Sequence, residues 1–122
     1  ENPVFYVQYA HARICSILRQ AEGFDWSDAD LSLLGEPEEI ALMEVLSRFY
    51  EEIQAGEEKM DPSRITRYAV DLASAFHTFY NAVRVNTDEI ELKKARFALI
   101  SAVRQVLRNA SEILGINAPE RM

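Results

Sequence analysis

Apolar residues recur along this chain at the three- and four-residue intervals of an α-helix, and no stretch alternates with the two-residue period of a strand. The pattern predicts an all-α fold, a helical bundle of four long helices. The first runs from Pro3 to Glu22, with the proline in the first turn, where its missing N–H costs nothing. A connector from Gly23 to Gly35 follows, in which Ser27-Asp28-Ala29-Asp30 can cap a short turn before Leu31. The second helix starts at Glu36-Pro37-Glu38-Glu39, where acids suit the positive helix end, and carries Ile40, Leu42, Met43, Leu46, Phe49, Tyr50 and Ile53 up to Gly56. Asp61-Pro62-Ser63 opens the third as an N-cap followed by a first-turn proline, and Asn86-Thr87-Asp88 breaks it. The fourth runs from Glu89 to Leu114 and stops at Gly115 as a C-cap. Residues 116–122 should then be extended, since Pro119 blocks helix continuation. The whole of 1–122 reads as a single domain.

The faces of these helices differ in chemistry. On the third, Ile65, Tyr68, Ala69, Leu72, Ala75, Phe76, Phe79 and Val83 share one arc, so it is the central core helix, with His77, Asn81 and Arg84 as a polar edge beside that arc. On the first, Val4, Val7, His11, Ile14, Cys15 and Leu18 form the side to be buried. Tyr6, Tyr9 and Arg13 fall on the other side, continued by Ser16 and Gln20. That helix therefore offers aromatic rings and a guanidinium outward. On the fourth, Arg96 lies among Ile100, Val103 and Leu107 and needs a buried partner, for which Asp71 or a helix C-terminus is available. Glu38-Glu39 and Glu51-Glu52 read as solvated helix faces.

Composition narrows the picture. A chain of 122 residues that is 48% hydrophobic and 27% charged can bury a core without staples, and no apolar run approaches the length of a membrane span. The cytoplasm is the expected compartment and a monomer the expected state. Glu1 is not a methionine, which suggests a piece of something longer. The net charge of −7 is unevenly spread. Residues 22–61 hold 13 acids against Arg48 and Lys59, a balance of −11, and the remaining residues sum to +4. From Lys93 to Ala110 there are five bases and no acid. Lys93, Arg104 and Arg108 share one face there, either as phosphate contacts or as an ordinary solvated surface.

Catalytic motifs are missing. There is no glycine-rich phosphate loop, CxxC or HExxH; Cys15 reads as a small core residue and His11 as a core or interhelical histidine, so neither a metal site nor a catalytic residue is expected. His77 either meets a phosphate or makes a hydrogen bond that orients its helix.

Three segments carry a family resemblance. The run Tyr6-Val7-Gln8-Tyr9-Ala10-His11-Ala12-Arg13 with Ile14-Cys15-Ser16 resembles the junction of the catalytic and anticodon-binding domains in arginyl-tRNA synthetases. Asp71-Leu72-Ala73-Ser74-Ala75-Phe76-His77-Thr78-Phe79-Tyr80-Asn81 is similar to a later helix of that family. Arg104-Gln105-Val106-Leu107, Leu114-Gly115-Ile116 and Ala118-Pro119-Glu120-Arg121-Met122 resemble its C-terminus. The Asp-Ala-Leu-Arg tetrapeptide of such domains reads Lys93-Lys94-Ala95-Arg96 here. The resemblance implies a DALR-type anticodon-binding domain that holds the anticodon loop of tRNA(Arg) through Tyr6, Tyr9, Arg13 and Met122, with Arg84 as a further contact. It implies a catalytic domain of the same enzyme as second partner, absent from this chain together with its ATP and Mg sites, so the fragment itself should not aminoacylate. Two other classes compete: a helical protein-interaction module, favoured by exposed tyrosines on an acidic chain, and a small metal or thiol enzyme built on His11, Cys15 and His77.

Overall fold

The computed structural model describes residues 2–122; Glu1, the first residue of the predicted first segment, lies outside them. Helix α1 spans Pro3–Gln20, with Asn2 as its cap: the side-chain oxygen accepts from the Val4 and Phe5 amides. A 3-10 turn at Leu31–Leu33 follows, capped by Asp30, and then α2 (Pro37–Ser47), α3 (Phe49–Glu58), α4 (Pro62–Ala82) and α5 (Ile90–Leu114). The expected all-α bundle is present, and no strand occurs among the described residues.

The second predicted helix is in fact two, broken at Arg48. The reason lies 20 residues downstream, since the buried Tyr68 hydroxyl donates to the Val45 carbonyl at 2.7 Å and the Arg48 amide bonds the same oxygen at 3.2 Å, so both its acceptor positions are filled by groups other than the Phe49 amide of a continuous helix. Burial also pushes the Tyr68 phenol up to about 12. Nor does Gly56 end a helix. It sits inside α3, buried, and a Cβ there would lie 2.7 Å from Cγ1 of Ile65. The residue that ends α3 is Met60, at φ 52°, which is followed by the Asp61 amide bonding back to the Gly56 carbonyl at 2.8 Å. Gly56→Ala should lower stability by about 1 kcal/mol, because overpacking against Ile65 outweighs alanine's better helix propensity. Thermal melts that measure the Gly56→Ala loss in wild type and again in an Ile65→Ala background, which lacks Cγ1, check this, and equal losses in both would clear Ile65 of blame.

Helix α4 is the hub, packing against α1, α2, α3 and α5, with Leu72, Phe76 and Phe79 fully buried along it. Helix α5 ends as expected at Gly115, whose φ of 73° costs least for a residue without a Cβ, with the Ile116 amide reaching back to Ser111. The connector after α1 does not hang free: Phe24 and Trp26 both pack on Phe97 of α5.

Arg96 is buried as expected, yet Asp71 is exposed and is not its partner. The Arg96 Nε donates to Glu39 at 2.6 Å, and its Nη1 donates to the Arg84 carbonyl at 2.8 Å, just beyond the end of α4. Glu39, expected on a solvated face, is fully buried, and its other oxygen accepts the Glu36 amide at 2.9 Å. One ion pair thus ties the start of α2, the middle of α5 and the loop after α4.

Candidate functional site

Helix α1 has Val7, His11, Ile14, Cys15 and Leu18 buried, as its periodicity implies, with Val4 only partly covered. Its outward stripe meets α4 and the chain's last residues. There Tyr9, Arg13, Ser16 and Gln20 of α1, Tyr80 of α4 and Glu120, Arg121 and Met122 line a recess of about 410 Å³. Arg13 is held in its wall. Its Nη1 donates to the Tyr9 hydroxyl at 3.0 Å, and its Cζ stands 4.6 Å from the centroid of the Tyr80 ring. Tyr80 in turn stacks on Phe76, and Tyr9 stacks on His77 at 5.9 Å and 26°. The guanidinium is therefore oriented by two aromatic residues that are themselves backed by the core of α4.

The third wall is the tail. Residues 116–122 form no helix or strand, and they are docked along α1 by contacts with no local signature. Gln8 donates to the Asn117 carbonyl at 3.1 Å and Arg19 to the Glu120 carbonyl at 3.1 Å. Buried His11 lies with Nδ1 2.9 Å from the Pro119 carbonyl, so that nitrogen carries the proton and donates it. Burial holds the His11 imidazole below its usual pKa, helped by the positive charges of Arg108 and Arg104. Cys15 is buried beside it, Sγ 3.8 Å from the ring. Removing residues 118–122 should cost about 1–2 kcal/mol, because His11 would be left as a buried donor without an acceptor. A melting experiment comparing the truncated chain with truncated His11→Leu isolates that donor; the leucine variant should recover most of the loss.

The other residues expected in the site divide. Arg84 and Lys93 line a second recess of about 370 Å³ that shares Ile17, Gln20 and Tyr80 with the first, so the two form one continuous groove. Lys93 also stands 4.2 Å from the Phe24 ring centroid, which supports its ammonium beside the groove. Tyr6 lies outside the groove. Its ring is partly buried against His77 at 5.5 Å, and it borders a recess with Pro3, Val70 and Ser74. Arg104 is separate too, lining a recess with Arg19, Trp26 and Glu120, and Arg108 pairs with Glu120 at 3.7 Å. Nε2 of His77 is buried without a partner in the chain, so it makes no hydrogen bond that orients its helix; burial and the nearby Arg13 charge lower its pKa. Sequence reasoning missed Tyr80 as a site residue. Its i, i+4 spacing from Phe76 was the available signal.

Among the described residues no cluster of three His, Cys, Asp or Glu side chains could hold a metal ion, and no helix is long and apolar enough to cross a membrane. The DALR anticodon binding domain family matches residues 7–122. The chain is similar to an arginine–tRNA ligase of Caldanaerobacter subterraneus subsp. tengcongensis, 57% identical over all of this chain and 23% of that protein, and to one of Acetivibrio thermocellus, 50% identical over 22% of its length. Among solved structures, an arginyl-tRNA synthetase of Thermus thermophilus superposes with a TM-score of 0.85 at 36% identity, covering 96% of this chain and 21% of that one. This chain thus spans less than a quarter of the length of the relatives it matches.

Proposed function

The chain belongs to the DALR anticodon-binding domain family, and from that premise we propose that its groove holds the anticodon loop of an arginine tRNA for a longer arginine–tRNA ligase. The observation that carries this reading is Arg13, fixed between the Tyr9 hydroxyl and the Tyr80 face at the mouth of the recess closed by Met122. An unpaired base has a π face for a tyrosine or guanidinium to stack on and an edge for N–H donors to read. Arg13 supplies the donors, Tyr9 and Tyr80 the rings, and Met122 an adaptable apolar side. Arg84 and Lys93, farther along, are placed to meet the phosphates of the neighbouring nucleotides.

Arginylation itself belongs to the rest of the enzyme, which is this domain's second partner and works in the cytoplasm. The four glycines of the chain are dispersed at 23, 35, 56 and 115, none in a loop that could cradle phosphates, so ATP and Mg are assigned to the catalytic part. The test is a titration of an arginine-tRNA anticodon stem-loop at 50 to 200 mM salt. With two phosphates met by Arg84 and Lys93, log affinity should fall against log salt with a slope of about −1.4. A loop with a swapped anticodon should bind more weakly. Salt-independent binding, or none, would favour a protein-interaction module instead.

A further inference from the structure

His77 is the one buried polar side-chain atom without a partner among the described residues, and it sits directly behind the groove. Its imidazole is partly buried, with Nε2 inward, and three aromatic rings lie against it: Tyr9 at 5.9 Å and stacked, Tyr6 at 5.5 Å, and Phe76 at 5.3 Å. A residue serving only to fill this space would be apolar, because an orphaned ring nitrogen lowers stability and gains nothing from packing. What the imidazole provides is a flat face of limited size under Tyr9. Tyr9 is 41% exposed, and on its outer side nothing but the Arg13 guanidinium meets its hydroxyl. Without a surface beneath it, an exposed tyrosine on a helix would distribute itself over more than one χ1 rotamer.

We propose that His77 is a positioning residue of the groove: its stack fixes the Tyr9 ring, and through the Tyr9 hydroxyl it fixes the Arg13 guanidinium over Tyr80. Three consecutive contacts carry it. His77 holds Tyr9 in one rotamer, Tyr9 anchors Nη1 of Arg13 at 3.0 Å, and Arg13 stands over Tyr80 with its Cζ 4.6 Å from the ring centroid, Tyr80 being itself stacked on Phe76 next to His77 in the chain. Two neighbouring residues of α4 thereby back both sides of the guanidinium clamp. A clamp set before the ligand arrives loses less freedom on binding, so the effect of His77 belongs in affinity rather than in folding.

The consequence for RNA rests on the proposed anticodon reading, whereas the positioning itself is measurable without RNA. Two variants separate a flat face from mere bulk: His77→Phe keeps a ring, and His77→Leu keeps volume without one. In the 122-residue chain, NMR should show the Arg13 guanidinium resonances resolved and slowly exchanging in wild type and in His77→Phe, and averaged in His77→Leu, at similar melting temperatures. Affinity for the anticodon stem-loop should fall about five- to ten-fold in His77→Leu, the scale of one lost aromatic stack, and return in His77→Phe. An unchanged Arg13 signal in a folded His77→Leu would overturn the proposal. If wild type binds no RNA, the anticodon reading fails while the Arg13 signal still decides the role of His77.

Discussion

Replacing Glu39 with alanine is expected to cost the fold about 3–5 kcal/mol, the largest loss of any single substitution considered for this chain. The carboxylate is fully buried, and its removal strands the Arg96 guanidinium with only the Arg84 carbonyl to receive it. It also removes the acceptor for the Glu36 amide at the start of α2. A domain of this size has about 5–15 kcal/mol in total, so the melting temperature should drop by about 10–20 °C. The informative comparison is Glu39→Leu combined with Arg96→Leu, which removes both charges and keeps apolar volume. Thermal melts should show the pair recovering much of the loss. If the double variant is as unstable as Glu39→Ala, the cause is the lost tie between α2, α5 and the loop after α4 rather than an unpaired charge.

The second large effect should appear in binding. Arg13→Ala and Tyr80→Ala are each expected to weaken affinity for the arginine-tRNA anticodon loop by about 10- to 100-fold, the scale of one base-stacking or charge-assisted contact. Arg13 is at the groove surface, so its removal should move the melting temperature little, whereas Tyr80 also packs on the core residue Phe76 and its removal should lower stability as well, so both affinities are compared well below the melting temperatures. Because the guanidinium rests on the Tyr80 ring, the double variant should lose less than the two single losses combined. Arg104→Ala and Arg108→Ala provide the contrast. Both sit beside Glu120 but neither lines the groove, and their effect should be modest and removed by salt. Binding curves in which Arg104→Ala outweighs Arg13→Ala would move the RNA to the other side of the tail.

Local chemistry made much of this fold legible. Asp61-Pro62 and Gly115 mark helix ends through capping, which involves only adjacent residues, and those ends are where they were expected. The stripe of Tyr9, Arg13, Ser16 and Gln20 follows from helical spacing alone, and all four line the groove. What the sequence concealed depends on contacts between distant residues. The break at Arg48 is caused by a hydroxyl on α4, and Glu39 looks like any other acid at a helix start until Arg96 arrives from α5. The tail has almost no apolar pattern. Its course is set by Gln8, His11 and Arg19, each about a hundred positions away. Tyr6 misled for a related reason, because a helical wheel gives direction but not what a neighbouring helix places there, in this case His77.

The uneven spread of charge has a kinetic consequence. Residues 22–61 carry 13 acids, seven of them on α2 and α3, whereas Arg13, Arg84 and Lys93 line the groove, so the charge met at the binding face is not that of the chain as a whole. A polyanion that meets those acids is turned away, and one that meets the groove's cations is drawn in, so collisions are oriented before any contact forms. An overall charge of −7 then acts as a filter on the angle of approach instead of a barrier to association.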